Sequence, residues 1–418
     1  MKTHILRALS EKSFRYLWIG EVFTQIAANL FNFFLILVVY SKTHSNTAVS
    51  GVVISFTVPA ILFGSIAGVY VDRWSKKDVL IISNLIRAVL FIFLAFFLRN
   101  LLMVYFFSFL IAVITQFFIP AETPIIPQVV KPKHLLSANA LFGMGIYGSI
   151  MAAYVLSGPL LLWFGEKGTL FVLAAMLIAG AIAISFIATS HVRKKQHILP
   201  NFRQTIQDIH HTLVLMSRSK EIAHSLFLLA LSQILILVVA TISPGYATQI
   251  LGIRLEDFPL LFVAPAALGM VIGAIVLVNV FHSHSKDRVI NTGMFLSGLA
   301  MLFLPYGSKV TSRDFIQSIN LFLPGFLRIT ILHIMILLAF ILGVANALVF
   351  VPANTILQEK TDDESRGKIY GLLNTIVGVA SFSPIIIVGG LSDLFGVGAV
   401  ITGIGVCLLV LGVVRMYL

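Results

Sequence analysis

Three charged side chains stand inside long apolar stretches of the sequence: Glu21, Arg87 and Glu122. A charge in such surroundings is costly unless it faces water, a counter-charge or hydrogen-bonding groups. A carboxyl group held this way can bind and release a proton, and a nearby arginine can balance its charge. We expect Glu21 or Glu122 to take up and release a proton, with Arg87 as the counter-charge. The alternatives are that both carboxylates lie near hydrated helix ends and that Arg87 is purely structural.

Uncharged polar residues accompany these charges. The stretch that carries Glu21 has four more polar residues within an arc of roughly 140° on an ideal helix, namely Thr24, Gln25, Asn29 and Asn32. The rest of that helix is apolar, so the polar stripe is expected to face a wet cavity or a polar partner. We predict a cavity for a small-molecule substrate that is lined by Glu21, Thr24, Gln25, Asn29, Asn32, Arg87, Gln116 and Asn346.

The elements that carry these residues are predicted to be membrane-spanning helices. Of the 418 residues, 58% are hydrophobic and only 11% are charged, which no soluble domain resembles. A spanning helix needs roughly 20 apolar residues. Reading the apolar stretches between charged or turn-rich breaks gives twelve spans, at residues 16–40, 48–71, 79–98, 101–127, 135–163, 168–190, 223–250, 259–281, 289–305, 329–356, 369–391 and 396–416.

The sequence repeats itself in a way that indicates duplication. The hexapeptide FIPAET at residues 118–123 returns as FVPANT at residues 350–355. A second echo pairs residues 58–68 with residues 264–273, where a proline is followed by two glycines four positions apart. Two helical halves related by duplication are the plan of many secondary transporters, with a substrate held between them near the bilayer midplane.

We therefore predict an all-α integral membrane protein with twelve transmembrane helices in two six-helix bundles related by pseudo-symmetry. The N-terminal bundle is placed at residues 1–190 and the C-terminal bundle at residues 223–418. Between them, residues 191–222 are polar and contain six basic residues, so we interpret this segment as a cytoplasmic linker.

The net charge of +12 follows the predicted topology. With the N-terminus inside, 21 of the 29 Lys and Arg residues fall on the cytoplasmic side. This positive-inside bias predicts a multi-pass protein of the plasma membrane, in contact with the lipid bilayer and with both termini cytoplasmic. The basicity therefore requires no nucleic-acid partner, and we expect a monomer.

Motifs for other chemistry are missing or misplaced. A glycine pattern at residues 143–148 formally matches a dinucleotide fingerprint, but it lies inside a predicted span with no preceding strand. The sequence contains no phosphate-binding loop for ATP and no zinc-protease or Cys-x-x-Cys motif. We expect neither an enzyme nor a bound cofactor or metal.

The segment GVYVDRWSKK at residues 68–77 joins spans two and three. It resembles the loop signature of the major facilitator superfamily, although Ser75 stands where that signature usually has a second glycine. The resemblance implies a conformational gate that stabilises one state of alternating access, formed by Gly68, Asp72, Arg73, Lys76 and Lys77. We expect Gly68 to permit a close helix approach. The alternative is that this loop only ends a helix and obeys the positive-inside rule.

Further segments resemble the drug and siderophore exporters of that superfamily, including the macrolide and enterobactin exporters. They are Asn84-x-x-Arg87, Pro120-Ala121 and Ser137-Ala138-Asn139-Ala140. Span five partly resembles the superfamily's antiporter signature, with Tyr154 in place of an expected glycine. The resemblance implies a secondary active, proton-coupled exporter of small amphipathic or hydrophobic molecules of the drug, macrolide or siderophore class.

Two alternatives remain open at this stage. Similarity around Pro120-Ala121 and Gln358-Glu359 to lysophospholipid transporters allows a lipid substrate that enters sideways from the bilayer. A non-transporting receptor or scaffold with the same fold is the other alternative, since residues 282–288 lack a second copy of the loop signature.

Overall fold

The computed structural model of the protein describes residues 6–122, 124–131, 134–188, 219–280, 285–308, 316–318, 320, 321, 324, 328–361 and 363–417. These parts of the chain are almost entirely helical and contain no strand. The long helices are α1 (Lys12–Thr43), α2 (Asn46–Arg73), α3 (Lys76–Phe97), α4 (Leu101–Glu122), α5 (Leu135–Ser185), α6 (Lys220–Gly245), α7 (Ala264–Val280), α8 (Lys286–Phe303), α9 (Ile331–Glu359), α10 (Asp363–Phe395) and α11 (Val397–Tyr417).

Shorter helical turns complete the described chain. Single turns lie at Leu6–Ser10, Ile126–Val129 and Leu304–Ser308. Wider π-helical turns extend α6 through Tyr246–Leu251 and precede α7 at Pro259–Val263.

Eleven helices in the described ranges are long and apolar enough to cross a membrane. One of them, α5, has 51 residues and is bent at Gly165, where φ is 65° and ψ is −178°. Residues that carry a side chain rarely adopt this backbone conformation. Glycine has none, so the chain can turn at this position. The bend separates two arms that correspond to predicted spans five and six. The predicted all-α membrane fold is confirmed, and every predicted span has a helix or a helix arm.

The repeated hexapeptides occupy matching places. Residues 118–122 end α4, and residues 350–355 lie near the end of α9. Pro120 and Pro352 both lie inside their helices, and each helix is the fourth predicted span of its half. Thr123 of the first copy lies outside the described residues. The match supports the duplication inferred from the sequence.

The chain divides into two compact units. Unit 1 comprises the described residues within Met1–Val38 and Ile54–Ile206, and unit 2 those within Val39–Val53 and Gln207–Leu418. The end of α1 and the beginning of α2 therefore belong to unit 2. The predicted linker at residues 191–222 lies outside the described residues except for its last four, so the predicted bundle boundaries stay a prediction.

Each unit has its own apolar core. In unit 1, Phe14, Phe118 and Phe142 bring α1, α4 and α5 together. In unit 2, Leu229 and Val349 belong to a cluster formed by α6, α8, α9 and α10. Lipid is as apolar as these side chains, so close packing and interhelical hydrogen bonds, more than removal from water, hold such helices together.

Helices α7 and α9 cross with their backbones in contact. A Cβ atom added at Gly343 would lie 1.8 Å from the carbonyl oxygen of Ala266, and one at Gly269 would lie 2.0 Å from that of Phe340. The earlier glycine pair of the sequence echo behaves differently. A Cβ at Gly68 would have no heavy atom of the described chain within 4 Å. Among the described atoms the close approach expected at Gly68 is not seen, whereas Gly269 and Gly273 of the second glycine pair both contact α9.

We expect Gly343→Ala to destabilise the protein, because its methyl group would have to push the backbones of α7 and α9 apart. Overpacking of this kind costs about 1–3 kcal/mol. The check is thermal unfolding of the detergent-solubilised protein. Gly403→Ala is the matched control, since a Cβ there meets no described atom within 4 Å. Equal unfolding temperatures for the two variants would contradict the observed contact.

Candidate functional site

Two carboxyl groups meet between α1 and α4. The Nε2 atom of Gln25 donates to Oε1 of Glu21 at 2.7 Å and to Oε1 of Glu122 at 3.3 Å. The two carboxyl groups are therefore neighbours on either side of one amide. Glu21 is fully buried and Glu122 is 6% exposed, so the hydrated position considered for Glu21 is wrong. We refer to Glu21, Gln25 and Glu122 as the carboxyl pair and its bridging amide.

One oxygen of this group lacks a partner. Oε2 of Glu21 is buried and accepts no hydrogen bond from the described protein atoms. A buried acceptor without a donor costs about 1–3 kcal/mol. A proton shared between Glu21 and Glu122 would turn this oxygen from an unsatisfied acceptor into a donor. The geometry therefore suits a carboxyl pair that holds one proton.

Arg87 is held on α3 by a chain of polar contacts. Its Nη2 donates to Oδ1 of Asn84 at 2.5 Å, and Nδ2 of Asn84 donates to the hydroxyl oxygen of Thr24 at 2.8 Å. The Thr24 hydroxyl donates in turn to the carbonyl of Gly20 at 2.8 Å. The guanidinium also lies over the ring of Phe118, 4.5 Å from its centre. These contacts fix the cation beside α1 and α4 although it is only 1% exposed.

The positive charge of Arg87 compensates the negative charge of the carboxyl pair without direct contact. Both carboxyl groups act on it electrostatically. Within the described chain, however, no ion pair shorter than 4 Å joins it to Glu21 or Glu122. One cation with two carboxyl groups is neutral when the pair carries one proton. This balance fits an apolar bundle, where an uncompensated charge is costly.

A cavity of about 210 Å³ adjoins Arg87 inside unit 1. Arg87 is the charged residue of its walls, and Asn32, Thr115 and Gln116 supply uncharged polar groups. Asn32 is exposed, so the protein does not seal this wall. The remaining walls are apolar: Ala28, Phe31, Phe56, Phe91, Ile111, Ala112 and Leu177.

The predicted cavity residues are thus brought together only in part. Asn32, Arg87 and Gln116 line the cavity, whereas the carboxyl pair does not. Asn29 lies one turn beyond the bridging amide and donates to the backbone carbonyl of Gln25 at 2.8 Å. Asn346 belongs to unit 2, where its side chain donates to the hydroxyl oxygen of Ser232 at 2.9 Å and its own oxygen is buried without a donor in the described chain.

The predicted gate residues end α2 and begin α3. The side chain of Lys76 is buried and donates to the carbonyl of Val71, and Lys77 donates to the carbonyl of Ile187 at 2.7 Å. Both lysines therefore satisfy carbonyl groups near helix C-termini, where positive charge is favourable. The side chains of Asp72 and Arg73 lie outside the described part of the structure. Their role as a gate stays a prediction.

Sequence reasoning missed the aromatic walls of the cavity. Phe31 and Phe91 stack with ring centres 4.3 Å apart, and Phe31 and Phe56 meet at 6.1 Å. The protein has 34 phenylalanines, and for most of them the sequence does not indicate whether the side chain faces a cavity. A usable signal was spacing, because Phe91 lies four residues after Arg87 and thus on the same helix face.

Asp393 near the end of α10 is a second residue that the sequence did not indicate. Its carboxylate accepts backbone N–H bonds from Asn46 at 2.7 Å and Thr47 at 2.9 Å. It also accepts from the side chains of Ser45 at 2.6 Å, Asn46 at 3.0 Å and Thr47 at 2.7 Å. A carboxylate from another helix thus caps the N-terminus of α2 inside unit 2. No local motif could reveal a cap that lies almost 350 residues away.

We expect Asp393→Ala to loosen the beginning of α2, because five hydrogen bonds lose their acceptor. Loss of an N-cap costs about 0.5–2 kcal/mol. Hydrogen–deuterium exchange should rise at the amides of Asn46 and Thr47, and the unfolding temperature should fall. Asp257→Ala, which removes an exposed carboxylate paired with Arg254, is the control. Unchanged exchange at residues 45–48 would show that the cap does not hold α2.

Comparison with known proteins agrees with this architecture. A model of the Major Facilitator Superfamily matches residues 17–382. The MFS-type transporter YfiS of Bacillus subtilis (strain 168) is 20% identical over 393 residues, which cover 91% of this chain and 87% of the relative. Macrolide efflux protein A of Streptococcus pyogenes is 21% identical over 394 residues, which cover 92% of this chain and 90% of that protein.

Solved structures of transporters share the fold. The nucleoside transporter NupG superposes with a TM-score of 0.74 at 11% identity, covering 97% of this chain and 98% of that one. The POT family transporter PepTSo gives a TM-score of 0.71 at 13% identity and covers 97% of both chains. At such low identity these structures establish the fold and nothing about the substrate.

The resemblance drawn from residues 68–77 is therefore confirmed by a family match over most of the chain, by relatives of nearly equal length and by the helical architecture. The chain belongs to the Major Facilitator Superfamily and is a multi-pass membrane transporter.

Proposed function

We propose that this transporter exports small amphipathic or hydrophobic organic molecules in exchange for protons, by alternating access. Its relation to a macrolide efflux protein supports export of compounds in the drug, macrolide or siderophore class. The basic residues of the predicted inner loops support a plasma-membrane location with both termini in the cytoplasm. We further propose that it works as a monomer.

The proposed proton exchange is supported mainly by the geometry of the carboxyl pair. Glu21 and Glu122 share one amide donor, and Oε2 of Glu21 has no donor in the described chain. Two neighbouring carboxyl groups in an apolar bundle favour one shared proton. Removing that proton leaves a net negative charge beside Arg87. The protonation state of the pair therefore changes the charge inside the bundle, which is the property that a proton-driven conformational cycle needs.

The cavity beside Arg87 supports a mainly apolar substrate. Its walls combine aromatic and aliphatic side chains with three uncharged polar groups and one cation. Binding sites for small organic molecules have this composition, in which apolar walls supply contact and few polar groups set orientation.

The glycine contact between α7 and α9 and the cap on α2 provide close-packed helices that can move as rigid elements.

We expect Glu21→Gln with Glu122→Gln to abolish proton-coupled transport, because glutamine keeps the size of the side chain but cannot take up a proton at these positions. The measurement uses purified protein in liposomes that contain a pH-sensitive dye. An imposed pH gradient should drive movement of a substrate from a panel of a lipophilic cation, a macrolide, a siderophore and a lysophospholipid. Of the single variants, Glu21→Gln should lose more, since Glu21 carries the unpartnered oxygen.

Glu256→Gln is the matched control, because Glu256 lies in the turn between α6 and α7. Gradient-driven movement that persists in the double variant would disprove the role of the carboxyl pair. Movement of the lysophospholipid alone would favour a lipid transporter. A well-folded protein that moves no compound in the panel would favour a receptor or scaffold.

A further inference from the structure

The cavity beside Arg87 holds an unused hydrogen-bond donor. An arginine has five N–H groups. In the described chain, Nε of Arg87 donates to the carbonyl of Ser83 at 3.3 Å, and Nη2 donates to the side-chain oxygen of Asn84. Nη1 has no acceptor there, although the side chain is only 1% exposed. Because Arg87 lines the cavity, water or a molecule that enters the cavity can accept from this group.

The charge of this guanidinium is already compensated. Glu21 and Glu122 both act on it electrostatically and lie outside the cavity walls. An anionic ligand is therefore not required for charge balance, and with one proton on the carboxyl pair it would add a second negative charge near one cation. A cationic ligand would have to give up its water beside Arg87, the charged group of the walls. What Nη1 of Arg87 lacks is an acceptor oxygen, not a counter-charge.

The shape and lining of the cavity restrict the rest of the ligand. Its volume of about 210 Å³ is below the roughly 300–1,000 Å³ of pockets that hold drug-sized ligands. A macrolide is too large for this cavity, which narrows the compounds proposed above to smaller ones. Two fused aromatic rings are of suitable size. Phe31, Phe56 and Phe91 offer ring faces and edges to such a body. Gln116 and Asn32 can bond a second polar group.

We propose that this cavity binds small neutral aromatic compounds that carry a carbonyl or similar acceptor oxygen, with Arg87 donating to that oxygen. This inference names a substrate class for the exporter proposed above and so depends on that proposal. Binding at equilibrium needs no proton gradient, however, and can be measured when transport cannot. Arg87 then has two tasks: it compensates the carboxyl pair and it orients the ligand.

The first test compares four ligands that share a naphthalene body. They are 1-acetylnaphthalene, with a neutral acceptor; naphthalene, with none; 1-naphthoate, an anion; and 1-naphthylmethylammonium, a cation. Affinity is measured on the intact protein at fixed detergent concentration. A hydrogen bond from a charged donor is worth about 1.5–3 kcal/mol, so acetylnaphthalene should bind at least about tenfold more tightly than naphthalene. The cation should bind most weakly.

The second test uses variants of the cavity. Arg87→Gln alone would leave the carboxyl pair without its cation, so it is combined with Glu122→Gln to keep the charge balance. In this double variant acetylnaphthalene should lose its advantage, while naphthalene should bind as it does to the unmodified protein. Gln116→Leu tests a second polar wall without touching the charges. Arg99→Gln, at an exposed arginine outside the cavity, is the control and should change neither affinity.

Each other result would overturn the inference. Equal affinity for naphthalene and acetylnaphthalene would mean that Arg87 makes no ligand bond. Tighter binding of naphthoate would identify an anion site, and tighter binding of the cation would place the ligand beside the carboxylates. If no compound binds while gradient-driven export of another compound persists, this inference fails and the proposed exporter stands. If acetylnaphthalene binds as expected but nothing is exported, the exporter fails and the binding site stands.

Discussion

A cation buried in a bundle of apolar helices must be compensated by groups that the surrounding helices supply. Arg87 is such a cation, and residues on three helices stabilise it. These residues are Asn84 on α3, Thr24 and Glu21 on α1, and Phe118 and Glu122 on α4. An isolated charge at this depth would cost several kilocalories per mole. The arrangement of these helices in unit 1 therefore follows from a charge requirement as well as from packing.

Unit 2 is held in a different way. Its helices α7 and α9 touch through backbone atoms at Gly269 and Gly343. The beginning of α2 is fixed by Asp393 and by Ser50, whose hydroxyl donates to the carbonyl of Ile385 at 2.9 Å. The hexapeptides indicate that the two halves share one pattern, yet among the described atoms a Cβ at Gly64 would meet the side chain of Gln116 at 3.6 Å, whereas Gly269 and Gly273 pack against α9. The halves thus keep matching helices but differ in their described helix contacts.

Much of this could be predicted from the sequence, because lipid imposes a simple rule. Every spanning segment must satisfy its own backbone, so apolar stretches of sufficient length become helices. Glu21, Gln25 and Glu122 could be picked out as candidate functional groups because a polar or charged side chain is costly in an apolar stretch. Their contact was not predictable, since it depends on how α1 and α4 pack. A break between spans five and six was predicted at residues 164–167, and the bend at Gly165 lies there.

The unpredicted parts share a physical cause, which is that they join residues far apart in the sequence. Asp393 caps a helix whose first residue is Asn46, and the cavity takes walls from α1, α2, α3, α4 and α5. The residues proposed to bind a ligand line that cavity, whereas the carboxyl pair proposed to bind a proton lies outside its walls. Arg87 is the side chain common to both. If both proposals hold, a change at Arg87 alters proton and ligand binding together, whereas a change at Gln116 or Phe56 alters the cavity alone. In the proposed mechanism, proton exchange and substrate selection can thus be separated by substitution, because they are assigned to different residues around one cation.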